Sequence, residues 1–118
     1  LLTIKQVLVQ LNYDELKLAK AFFITLDPER DTPELLKQYT GYFHPNISGL
    51  TEKPEKIARI AKSYGVRYQR TKLDDSALGY VIDHTSNIFL IDPSGRLKAS
   101  YPHNEDPDTI LAQIRSLL

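Results

Sequence analysis

Two short runs, Ala21 to Leu26 and Ile88 to Ile91, constrain the fold of this chain more than anything else in it. The second is unbroken, the first is interrupted only by Thr25, and both are rich in β-favouring residues. Neighbouring side chains of a strand point to opposite faces, so a run apolar at successive positions needs cover on both. Such strands belong in the middle of a sheet. Asp92-Pro93-Ser94-Gly95 follows the second run and has the composition of a turn. Leu97, Ala99 and Tyr101 then alternate with Arg96, Lys98 and Ser100, as in a half-exposed antiparallel strand. Ile88 to Tyr101 is therefore expected to form a hairpin.

Helices fill the intervals. Ile4, Val7, Leu8 and Leu11 recur at helical spacing, which predicts an uncapped amphipathic helix from about Thr3 to Tyr13. Thr32-Pro33 places an N-cap before a proline at the first helical position, where no N–H is needed. The helix it opens is expected to bury Leu35, Leu36, Tyr39, Tyr42 and Phe43 and to stop before His44-Pro45. Ile47 to Leu50 reads as a short edge strand. Pro54 opens a third helix, with Ile57, Ile60, Ala61 and Tyr64 inward and Gly65 as its stop. Asp106-Pro107 opens the last, with Ile110, Leu111, Ile114 and Leu117 on one face. Val66 to Ile82 reads as two extended pieces around an exposed polar loop, and Arg70 to Gly79 as the most mobile internal segment. Asp83 and His84 would lie in the loop that feeds the second central strand.

This order is that of an α/β domain, single over residues 1–118, with a central mixed sheet flanked by helices. It matches a thioredoxin-like fold whose first central strand is missing. That strand would lie between the two apolar runs, so they should stand about 9–10 Å apart, two strand spacings, with their inner edges unpaired.

Composition narrows the functions. Lys plus Arg and Asp plus Glu number 15 each, so overall charge favours neither nucleic acid nor an anionic membrane. There is no cysteine, which excludes disulfides, thiol chemistry and thiolate metal sites within these residues. No apolar run approaches the roughly 20 residues of a membrane span. The absence of an initiating Met and the uncapped first helix suggest a piece of a longer chain.

Phe23-Ile24-Thr25-Leu26-Asp27-Pro28-Glu29-Arg30-Asp31-Thr32-Pro33 resembles the characteristic segment of the Sco/SenC copper chaperones of cytochrome c oxidase assembly. Leu36-Lys37-Gln38-Tyr39, Tyr64-Gly65-Val66, Tyr80-Val81-Ile82-Asp83-His84 and Phe89 to Gly95 occur in the same order as in that family. The resemblance implies a copper site made by two thiolates of a CxxxCP motif and one histidine. The matching histidine here is His84, and the thiolates would lie upstream of Leu1 with further strands and a membrane anchor. Asp83 could orient the imidazole or be a solvated carboxylate. The implied partners are the copper-binding oxidase subunit and other copper chaperones. The implied location is the periplasmic or cell-surface side of a bacterial membrane, or the mitochondrial intermembrane space.

Two activities fit the resemblance: copper delivery, and thiol–disulfide reduction of the cysteines of the receiving subunit. A plain interaction domain is a third. In this chain alone no catalytic residue is expected. His44 and His103, each beside a proline, are assigned to the surface. Asp27 and Asp31 could hold Mg²⁺ for phosphoryl transfer, but no phosphate-binding glycine loop accompanies them, and the helix-start reading of Asp31-Thr32-Pro33 is stronger.

Overall fold

Proline and capping residues place the helices where the sequence puts them. In the computed structural model, which describes residues 1–72 and 79–118 and the backbone alone of Val81 and Asp83, helix α1 spans Leu2–Leu8. A separate turn of helix, α2, spans Tyr13–Leu16. The single helix expected to Tyr13 thus ends early. Asn12 accepts from the Glu15 N–H while Glu15 accepts from the Asn12 N–H, a capping box that starts α2 afresh. Helix α3 (Pro33–Phe43) begins at a Thr32 cap that accepts from the Leu35 N–H at 3.2 Å. Helix α4 (Pro54–Ser63) ends at Gly65, whose φ of +71° favours glycine. Helix α5 (Pro107–Leu117) is capped by Asp106.

Among the described residues six strands form three pairs. β1 (Ala21–Ile24) runs parallel to β2 (Ile47–Leu50), with α3 as the crossover. β3 (Tyr68–Lys72) and β4 (Tyr80–His84) are antiparallel. β5 (Asn87–Ile91) and β6 (Leu97–Pro102) form the expected hairpin, bulged where Leu90 opposes Ala99 and Ile91 opposes Leu97. Its turn places Gly95 at φ +86°.

The mixed sheet of the expected α/β domain is present among the described residues as these separate pairs. Among the described residues β1 pairs with β2 alone and β5 with β6 alone, so the two apolar strands do not hydrogen-bond to each other. The lack of a direct pairing agrees with the expected strand order. Both pairs nevertheless border one core, in which Val7, Leu8 and Leu11 meet Ile110, Leu111, Ile47 and Tyr101. Phe23 of β1 and Ile88 and Leu90 of β5 pack against it.

Helix α3 departs from expectation. Leu36 and Thr40 are its buried residues, whereas Leu35, Tyr39 and Tyr42 are exposed. The helix uses a narrow stripe because Leu36 lies directly on Gly49 of β2. A Cβ at Gly49 would stand 2.7 Å from the Leu36 Cβ. Gly49→Ala is therefore expected to destabilise the protein by about 1–3 kcal/mol, read as a lower urea midpoint at unchanged m-value. Tyr64, expected inward, is also partly exposed and lays its ring against Phe89 at 5.2 Å. Lys72 closes β3 rather than sitting in a loop, and the centre of the segment expected to be mobile, 73–78, lies outside the described residues.

Candidate metal-ligand site and its supports

Antiparallel pairing brings His84, the last residue of β4, opposite Tyr68. It stands in a strand, not in the loop the sequence reading chose. The strand ends there because the chain turns at once into β5: the Thr85 N–H donates to the Arg67 carbonyl at 2.9 Å. The Arg67 N–H returns a bond to the Thr85 hydroxyl at 3.2 Å.

The His84 ring is exposed, and its Nδ1 lies 2.9 Å from the Thr85 carbonyl oxygen. The Ser86 hydroxyl lies 3.4 Å from the same nitrogen. A carbonyl can only accept, so the shorter contact favours a proton on Nδ1, the tautomer in which Nε2 has the lone pair that a metal ion needs. The Asp83 backbone pairs with Gln69, and its side chain, weighed above as an orienting acceptor, lies outside the described residues. The ring borders a cleft of about 900 Å³ whose other lining includes Ala58, Ala61, Lys62, Val66 and Arg67.

The other end of β4 is fastened to the loop after β1. The Tyr80 ring lies between two guanidinium groups, Arg30 at 3.5 Å and Arg70 at 3.9 Å from its centroid. Its hydroxyl donates to Asp27 Oδ1 at 2.9 Å. Asp27 also pairs with Arg30, and Arg70 pairs with Glu29 at 2.7 Å. Asp31 accepts from the buried Thr25 hydroxyl. The Asp27–Asp31 segment therefore anchors the hairpin that bears His84, and both aspartates are engaged in holding structure. Sequence reading missed this clamp, since Arg30 and Tyr80 stand 50 residues apart in the chain.

His44 accepts the Asn46 N–H on its Nδ1 at 3.0 Å and serves the end of α3. His103 is exposed, and its backbone N–H donates to the Ser86 carbonyl, which brings it to the His84 end of the molecule. Among the described residues no group of three or more metal-ligating side chains forms. One imidazole is the donor offered at the cleft. Among the described residues no helix is long and apolar enough to cross a membrane.

The model of the SCO1/SenC family matches residues 1–118. The chain belongs to the SCO1/SenC family. A mitochondrial SCO1 homologue of Arabidopsis thaliana is 40% identical over 88 residues, covering 75% of this chain and 26% of that protein. A mitochondrial SCO2 homologue of Bos taurus is 37% identical over 93 residues, 79% of this chain and 35% of that protein. The chain thus spans well under half the length of these SCO relatives. Among solved structures, apo Sco1 from Thermus thermophilus superposes with a TM-score of 0.86 at 31% identity, covering 99% of this chain and 68% of that one. Bradyrhizobium japonicum ScoI with copper bound gives 0.81 at 32% identity, covering 100% and 73%. The thioredoxin-like SCO fold is therefore the fold of this chain, and its three strand pairs are parts of that architecture.

Proposed function

We propose that these residues form one domain of a copper-delivery protein, in which His84 is the ligand this chain contributes. The observation that carries the reading is the placing of His84: its Nδ1 lies 2.9 Å from the Thr85 carbonyl, and the residue lines an open cleft. A single neutral imidazole suits copper but cannot hold it tightly. The two thiolates implied by the family resemblance would complete a site that favours Cu(I) and tolerates Cu(II); no cysteine stands among these 118 residues. Copper-bound relatives support copper as the cargo. The copper-binding subunit of cytochrome c oxidase is the proposed recipient, and other copper chaperones the proposed donors. Location in the intermembrane space or on the outer side of a bacterial cytoplasmic membrane fits that role, as do the mitochondrial relatives.

Thiol–disulfide reduction of the recipient's cysteines is the alternative, and it has no need of His84. The protein expressed from its natural gene separates the two when His84→Ala is assayed for Cu(I) affinity and for reductase rate. Loss of a partner outside the ligand set already costs metal sites 10- to 100-fold, so losing a ligand should lower affinity by about 100-fold or more. The reductase rate should stay within about twofold. Unchanged affinity, or a reductase loss as large as the affinity loss, would overturn copper delivery through His84.

A further inference from the structure

The charges of this neutral chain are not evenly spread. Between Lys53 and Lys72 stand seven Lys and Arg side chains and one carboxylate, Glu55. The remainder carries eight cations and fourteen carboxylates. All seven cations of the basic stretch are exposed. Lys56 pairs with Glu52 at 3.1 Å and Arg70 with Glu29, but Arg59, Lys62 and Arg67 make no ion pair among the described residues.

Two of these three border the His84 cleft. Lys62 comes from the last turn of α4, and Arg67 lies on the segment bonded in both directions to Thr85. Between them Ala58, Ala61 and Val66 give the cleft an apolar lining. The electrostatics oppose a free metal cation approaching the imidazole, since Lys62 and Arg67, without an ion pair among the described residues, border the cleft. They favour an anionic carrier instead. We propose that the cleft between α4 and the β3–β4 hairpin docks an acidic segment, with interspersed aliphatic side chains, of the protein that exchanges copper at His84. This rests on the reading of His84 as a ligand. A concave cleft of about 900 Å³ with its alanines and valine in the lining suits a polypeptide segment better than a flat lipid surface.

The test needs no metal. The protein from its natural gene, metal-free, is titrated with a fluorescent Asp/Glu/Leu decapeptide, with a Ser/Leu decapeptide as control, and anionic phosphatidylglycerol vesicles are tested separately. Expected is saturable binding of the acidic peptide that weakens about tenfold or more from low salt to about 0.2 M salt. Amide shifts should concentrate between Ala58 and Gln69 and at His84 and Thr85. The double variant Lys62→Glu/Arg67→Glu should abolish binding, whereas Lys98→Glu, an exposed reversal on β6, should leave it intact. Equal binding of the neutral peptide, unchanged binding by the double variant, or shifts mapping elsewhere would overturn the proposal. So would vesicle binding that the peptide fails to displace. Peptide binding that survives while His84→Ala leaves copper affinity unchanged would remove the copper reading alone. The reverse pair of results would remove this docking site alone.

Discussion

Produced as these 118 residues and nothing more, the chain will not behave as a stable monomer. β1 and β5 are the two strands whose sequences ask for neighbours on both sides, and among the described residues each has one. Their other edges carry backbone N–H and C=O groups without a strand partner among those residues, a state that proteins avoid and other chains exploit. Apolar side chains accompany those edges: Phe22 is 52% exposed, Ile24 37% and Ile91 39%. The molecule is also expanded for its length. Its radius of gyration is 15.4 Å, against about 13–14 Å for a compact domain of this size. What joins the two strand pairs is chiefly the core of α1 and α5, with Tyr64 touching Phe89 on another side. Sedimentation of the isolated 118 residues should show self-association, and urea should give a broad transition. A sharp two-state transition at monomer mass would show that the open edges are harmless.

Ile110→Asp, placed in the protein from its natural gene, should cost several kcal/mol. Ile110 is 4% exposed and belongs to the apolar cluster of Val7, Leu8 and Leu111, a setting hostile to a carboxylate. Burying an unpaired charge is among the few single changes that reach such magnitudes. Lys72→Asp, at the exposed end of β3, should stay within about half a kcal/mol. Ile114 is partly buried against the same core, so Ile114→Asp should fall between them. Equal urea midpoints for Ile110→Asp and Lys72→Asp would mean that α5 turns a different face inward.

Local rules wrote most of this architecture plainly. Pro33, Pro54 and Pro107 each stand at the first position of a helix because a proline there sacrifices no hydrogen bond. Gly65 and Gly95 mark turns with positive φ. The capping box of Asn12 and Glu15 was equally visible and would have separated α2 from α1. Tyr39 and Tyr42 misled because periodicity reports which residues share a face, not how wide a stripe the neighbouring sheet covers. Their rings instead form an edge-to-face chain with Phe23 and Phe43. His84 was legible as a residue only through the family resemblance. Its strand setting, its Thr85 acceptor and the Arg30–Tyr80–Arg70 clamp depend on chain segments that meet only after folding, and no local pattern encodes them.

Copper X-ray absorption of the Cu(I)-loaded protein from its natural gene tests the assignment of His84 most directly. Outer-shell scattering from a single imidazole is expected in the unaltered protein, and its disappearance in His84→Ala while His44→Ala and His103→Ala leave it in place. Imidazole scattering that persists without His84, or vanishes with His103, would contradict it.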